Sequence, residues 1–187
     1  VIAAEKYRAA TRKRLARSST DNSTPTANTF VIEPFQKLRS HVWKQGRGQW
    51  DYRNGHLTQT LVDEQRDCYL EPLQQPPARF TLRLRLRITG GTEGLVGVLF
   101  NRSKDGSRGE AVLLCVDEEQ SGLRFFFEYG DERHFHDKYA RELPIRTGEE
   151  YVLRIDVRDK LVNVYVNDLL QQAYEVTSGN PGDLRLL

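Results

Sequence analysis

Apolar and polar residues alternate without a break from residue 80 to residue 89. Phe80, Leu82, Leu84, Leu86 and Ile88 fall on one side, and Thr81, Arg83, Arg85, Arg87 and Thr89 on the other. A period of two predicts a strand with one buried face and one wet face, and Gly90-Gly91 closes it. The same signature returns in "EYVLRIDVRD" (150–159), where Tyr151, Leu153, Ile155 and Val157 share a side. "LVGVLFNR" (95–102), "EAVLLCVD" (110–117), "GLRFFFEY" (122–129), "LVNVYVND" (161–168) and "LLQQAYEV" (169–176) read as further strands, divided by Gly-, Ser- and Asp-rich turns and by a tight turn at Asp159-Lys160. Roughly ten short strands with a turn every 8–12 residues and no internal helix predict an all-β antiparallel sandwich or jelly roll. The closing "GDLRLL" looks like the start of another strand, so the sandwich is expected to lack its last strand.

Near the start of the β pattern, "GQWDYRNGHLTQT" (48–60) spells a hairpin. Asn-Gly is the preferred pair for a two-residue type I′ turn. Placed at Asn54-Gly55, it pairs Arg53 with His56, Tyr52 with Leu57 and Trp50 with Gln59. Trp50, Tyr52 and Leu57 then share one face. That face reads first as core and second as a platform on which sugar rings stack.

Upstream the pattern changes. Residues 2–17, "IAAEKYRAATRKRLAR", contain no Gly or Pro and favour a helix. Ile2, Ala3, Tyr7, Ala10 and Leu15 give it only a thin apolar stripe. The division expected is a basic helix over 1–18, the end of a longer helical region, then a polar linker over 19–29 and a β-sandwich over 30–187. A chain that starts at Val1 and contains no Met is expected to be a piece or processed form of a longer protein, so a missing export signal does not bear on compartment.

The net charge of +2 is unevenly spread. Residues 1–18 hold Lys6, Arg8, Arg12, Lys13, Arg14 and Arg17 against Glu5, a balance of +5, which leaves −3 for the rest. A nucleic-acid-binding domain would concentrate cations on its folded face, so no nucleic acid is expected. No apolar run reaches the roughly 20 residues that span a bilayer, so no membrane insertion is expected in this stretch. Cys68 and Cys115 are too few for a disulfide scaffold and lack metal-binding spacing. Their apolar contexts favour buried thiols. Asn22-Ser23-Thr24 and Asn101-Arg102-Ser103 match the glycosylation triplet, a pattern often met by chance.

The succession "GRGQWDYRNGHLTQT", "FTLRLRLRITGG", "GVLF" and "YVLRIDVRDKLVNVYVNDLLQQAYEV" resembles concanavalin A-like (laminin-G-like) jelly-roll domains over about residues 30–187. The nearest likeness is to those embedded in large multidomain bacterial proteins, including planctomycete-type proteins with cytochrome c-like modules. The resemblance implies two sheets of six or seven strands, an early hairpin of the form GxWxYxxGxL, a late hairpin turning at Asn167-Asp168, and a helical stretch upstream. It makes the early hairpin scaffold first.

Glucanases share this fold class. Glycosidase chemistry needs two carboxyls facing one cleft, about 5–5.5 Å apart for retention or about 6.5–9.5 Å for inversion. The Glu-x-Asp-x-x-Glu run of the retaining glucanases is absent. "DEEQ" (117–120) sits at a turn, and "DERHFHD" (131–137) reads as a solvated loop. His134 and His136 would share a strand face, but zinc needs a third and fourth ligand, for which Asp131 or Asp137 are the candidates considered. Ca²⁺ is a possible cofactor of this fold class, although no calcium loop motif is present. There is no Gly-x-Ser-x-Gly and no phosphate loop.

The row Arg83, Arg85, Arg87 is the most distinctive feature. It reads either as a cationic groove for an acidic polysaccharide or another polyanion, extended by Arg124, Glu128 and Tyr129, or as a solvated face whose arginines pair with acids on neighbouring strands, Asp156 among them. Ligand-binding candidates are therefore Arg83, Arg85, Arg87, Arg124, Tyr129, His134 and His136. The expected function is a non-catalytic binding or assembly module of a larger extracytoplasmic protein, periplasmic or at the cell surface, with carbohydrate as favoured ligand. The alternatives are a structural protein–protein interaction domain, docking on other domains or subunits of a larger assembly, and a glycan-active enzyme.

Overall fold

The computed structural model describes residues 33–61, 68–74, 76–90, 94–117, 121–130, 132–176 and 182–187. The helix and linker expected over 1–29 lie outside them. Fourteen strands make up the described part: β1 Trp43–Gln45, β2 Trp50–Arg53, β3 His56–Gln59, β4 Leu70–Pro72, β5 Arg79–Arg87, β6 Gly94–Arg102, β7 Arg108–Val116, β8 Gly122–Tyr129, β9 Glu132–Phe135, β10 Arg141–Glu142, β11 Glu150–Arg158, β12 Leu161–Val166, β13 Leu169–Glu175 and β14 Asp183–Leu186. Every strand pair is antiparallel. No helix among the described residues is long and apolar enough to cross a membrane.

The strands form an eight-stranded sheet, β1-β4-β14-β6-β7-β8 with β9 and β10 both on the free side of β8, a four-stranded sheet, β13-β12-β11-β5, and the separate hairpin β2-β3. The resemblance implied two sheets of six or seven strands. Among the described residues the division is eight and four instead, because the short strands β1, β4, β9 and β10 all join the larger sheet and the early hairpin joins neither. The segment 183–186 pairs with β4 on one side and β6 on the other.

The core lies between the two sheets. From the smaller one come Leu153, Ile155 and Val157 of β11, Val162, Val164 and Val166 of β12, and Tyr174 of β13. From the larger come Val98, Phe100, Val112, Leu114, Leu123 and Phe125. The rings of Phe125 and Tyr174 meet edge to face with centroids 5.7 Å apart. β11 has a neighbour on each side, so its inward residues are fully buried. β5 is the edge of its sheet, so its inward leucines are only half-buried. A second apolar cluster, Leu99, Ala111, Leu113 and Phe126 with Leu187, occupies the opposite face of the larger sheet.

The early hairpin keeps its predicted register, Trp50 with Gln59, Tyr52 with Leu57 and Arg53 with His56. Asn54 (φ 53°) and Gly55 (φ 74°) supply the two positive φ values of a type I′ turn. Its aromatics are not core. Trp50 and Tyr52 are half-buried because a hairpin paired with neither sheet has only one side to cover, and Trp50 Nε1 donates to the Arg47 carbonyl at 3.0 Å. The buried tryptophan is Trp43. Cys115 is buried and Cys68 half-buried, both as thiols.

Candidate functional site

The candidate ligand-binding residues fall in three places. Arg83, Arg85 and Arg87 lie on the outward face of the four-stranded sheet, all exposed. Tyr129, His134 and His136 come together where β8 meets β9. Arg124 is apart from both. β8 belongs to the larger sheet, and Arg124 shares the face of Phe126 and Leu113, so it does not extend the arginine row.

The segment 131–137, expected as a loop, contains a strand. β9 pairs Glu132 with Tyr129, Arg133 with Glu128, His134 with Phe127 and Phe135 with Phe126. All four of its residues are exposed, as an edge strand allows, which is why no alternation marks it. His136 N–H then donates to the Phe125 carbonyl at 2.9 Å, and the chain turns at 137–139 before β10 resumes the edge. Gly122 fixes that resumption. Its φ of 151° suits glycine, and a Cβ there would clash with the Arg141 carbonyl.

Two groups of rings result. In the first, Tyr174 and Phe125 are buried, Tyr139 packs 5.2 Å from Tyr174 and 6.0 Å from His136, and His136 lies 4.6 Å from Phe127. The second is the exposed pair of Tyr129 and His134, T-shaped at 5.6 Å, with His134 directly across the strands from Phe127. Along one face of β8, Phe125 is buried, Phe127 half-buried and Tyr129 51% exposed. The larger sheet thus emerges from beneath the smaller one and leaves a shelf. Arg108 and Glu132, both exposed, flank Tyr129 directly across the strands. The Glu132 carboxylate stands 3.4 Å from His134 Nε2. Two rings open to solvent, with a guanidinium and a carboxylate on either side, can stack on an apolar face and hydrogen-bond its rim.

Glu110 lies at the inner end of the shelf, directly across from Phe127. Only 5% of it is exposed, and its Oε2 has no partner among the described residues. Burial pushes its carboxyl up to about 7, while hydrogen bonds with Asn101 and Tyr174 pull the other way. The same burial and the nearby Glu110 raise the Tyr174 phenol well above its ordinary range.

The arginine row is largely answered by acids. Arg79 grips Asp159 through two bonds of 2.9 and 2.8 Å. Arg83 reaches Asp168 at 3.3 Å, and Arg87 reaches Glu150 at 3.7 Å. Asp168 also bridges to Arg154, which stands directly opposite Arg83 and lies 3.8 Å over the Tyr165 ring. Asp156, expected as a partner of the row, instead accepts from Thr81 at 2.9 Å and approaches Arg154 at 3.8 Å. Arg85 has no ion-pair or hydrogen-bond partner among the described residues.

The outer face of the larger sheet carries carboxylates, and two of them are paired with cations. Glu71 contacts Arg185 at 2.7 Å and Lys44 at 3.6 Å. Glu128 contacts Arg102 at 3.4 Å and Arg133 at 3.9 Å. Between them lies the apolar cluster of Leu99, Ala111 and Leu113. No three His, Cys, Asp or Glu side chains group together among the described residues. Asp131, one of the zinc ligands considered, is outside those residues.

No family model matches the sequence, and no curated protein does. Solved structures do. The carbohydrate-binding module CBM66 from Bacillus subtilis superposes with a TM-score of 0.65 at 16% identity, over 77% of this chain and 85% of that one. A prokaryotic β-1,3-1,4-glucanase (lichenase) derived from a mouse hindgut metagenome gives 0.58 at 11% identity, over 82% of each chain. The Bacillus licheniformis β-glucanase gives 0.55 at 14% identity, over 82% of this chain and 81% of that one. These are concanavalin A-like jelly rolls, and that is the fold of this chain.

Proposed function

We propose that the chain is a non-catalytic carbohydrate-binding module of a larger extracytoplasmic protein, and that the shelf of Tyr129 and His134, flanked by Arg108 and Glu132, contacts the glycan. The observation that carries this reading is the pair of solvent-facing rings that continues the half-buried aromatic face of β8 and β9 at the end of the larger sheet. Exposed aromatics on rigid strands provide contact area at little entropic cost. The likeness to a carbohydrate-binding module supports the ligand class by analogy of fold.

The non-catalytic part rests on the carboxyls. A retaining or inverting pair needs one acid held near neutrality beside a second carboxylate in an open cleft. Among the described residues the acid held near neutrality is Glu110, and it is buried between the sheets. A structural interaction module is the second reading, favoured by Leu169 and Leu170, 68% and 42% exposed on the edge strand β13.

Affinity electrophoresis against a panel of polysaccharides, beside a reducing-end assay, tests the proposal. Retardation by at least one glycan, lost in a Tyr129→Ala/His134→Ala variant and without release of reducing ends, is the expected result. Retardation that survives the variant moves the site elsewhere, and release of reducing ends makes the protein an enzyme.

A further inference from the structure

Among the described residues, guanidinium groups outnumber carboxylates at the end of the smaller sheet that bears Arg83, Arg85, Arg87 and Arg154. Four guanidinium groups face outward there, and the carboxylates that meet them are those of Asp168 and Glu150, with Asp156 at the border. Asp168 is shared by Arg83 and Arg154, and Arg85 is left with no partner among the described residues. The cross-strand neighbour of Arg85 is Val152, which cannot pair with it. We infer that this face is a second binding surface, for an acidic polysaccharide bearing carboxylate or sulfate groups, with Arg85 as its anchor and Arg83 and Arg87 on either side.

Three features of the row favour such a ligand. Residues two apart on a strand lie about 6.7 Å from one another on one face, so the three guanidinium forks form a straight, evenly spaced line. Each fork matches a carboxylate or sulfate with two parallel bonds. The existing contacts of Arg83 and Arg87 are single, long and half-exposed, at 3.3 and 3.7 Å. Exposed pairs of that kind contribute little to stability, so an arriving anion replaces them at little cost to the fold. Arg154 is held flat on Tyr165, which fixes the charge at the border of the row.

The same observations weigh against single-stranded nucleic acid. That ligand needs open rings between the cations on which bases stack, and the aromatic beside this row, Tyr165, is already covered by Arg154. A purely defensive role also has to be met. β5 is an edge strand of nine residues, and edge strands are protected from pairing with other chains by outward charges. Protection needs only charge, whereas gripping an acidic glycan needs the planar fork.

The proposal rests on the glycan-binding reading above but uses a different face. Dextran sulfate and polygalacturonate serve as probes, with neutral dextran and a single-stranded oligothymidylate as comparators, at low and at high salt. The full chain is used as wild type, Arg85→Ala, Arg85→Lys, Tyr129→Ala and Lys13→Ala/Arg14→Ala, the last because the basic N-terminal stretch is also cationic. The expected result is salt-sensitive binding to one of the acidic glycans. It should weaken about tenfold in Arg85→Ala and be restored only in part by Arg85→Lys, with the melting temperature of every variant held. Unaltered binding by Arg85→Ala overturns the proposal, as does loss confined to Lys13→Ala/Arg14→Ala. Equal binding of the oligothymidylate overturns the assignment to glycan. A variant that self-associates yet binds as wild type assigns the row to edge protection and so overturns the proposal. Binding to neutral glycans alone, lost in Tyr129→Ala, overturns this inference while leaving the shelf intact. Binding to no glycan removes both.

Discussion

The arginine face and the aromatic shelf lie at opposite extremes of how a β-sandwich makes a surface. The face is written in one strand. Its period-two pattern places Arg83, Arg85 and Arg87 together whatever β5 pairs with, and its partners Asp168 and Glu150 are tuned by exposed, exchangeable contacts. The shelf is written in several strands. Arg108 of β7, Tyr129 of β8 and Glu132 of β9 meet only because those strands pair in register, and beside them a stack of rings runs inward to Tyr174 in the other sheet. Charge on a single strand is therefore cheap to change and aromatic geometry across strands is not.

The floor of the shelf is where the difference is easiest to break. Phe125 is 2% exposed and touches both Tyr139 and Tyr174. Phe125→Ala is expected to lower stability by about 3–5 kcal/mol in denaturant unfolding. A loss below about 1 kcal/mol would mean that the shelf does not depend on the core.

Glu110 gives the next largest effect, and its sign is definite. Its folded-state value of about 7 lies above the ordinary 4.5. The folded protein therefore binds the proton more tightly than the unfolded chain does. This contribution is complete below about 4.5 and is lost as pH rises through 7, on the order of 3 kcal/mol in all. Glu110→Gln should flatten the stability profile between those values and raise stability at pH 8. Parallel profiles for the two proteins would contradict the buried-carboxyl account.

Removing the exposed rings should separate binding from folding. Tyr129→Ala/His134→Ala is expected to weaken glycan binding about tenfold or more, while stability changes by less than about 1 kcal/mol, since both side chains are half open to water. The smallest effect belongs to the arginine face. Arg83→Ala should change stability by no more than about 1 kcal/mol, because its partner Asp168 is itself half-exposed and still holds Arg154. A larger loss in thermal unfolding would show that the face is structural.

The contrast also explains what the sequence makes legible. β5, β6, β7, β8, β11, β12 and β13 are each within two residues of the segments their patterns predict, because each is long enough to show a period or an apolar run. β1, β4 and β10, with two or three residues each, are too short to show either. β9 hides for another reason. "ERHF" is exposed on both faces, so it looks like a solvated loop until β8 is seen beside it. Tyr129, His134 and His136 were recognisable as residue types, whereas Arg108 and Glu132 acquire a role only through pairing. Glu110 opens an otherwise apolar stretch, and only the opposing Tyr174 reveals that it points inward. The hairpin aromatics Trp50 and Tyr52 mislead in the opposite sense, since alternation tells which side they share but not whether anything covers it.

The most direct test of the central claim is amide hydrogen exchange, with and without the glycan that binds most tightly in the panel. The account predicts slowed exchange across β8, β9 and the turn at 137–139, with the outer face of the larger sheet around Glu71 and Arg185 unchanged. Slowing confined to that outer face, with none at β8 and β9, would contradict it.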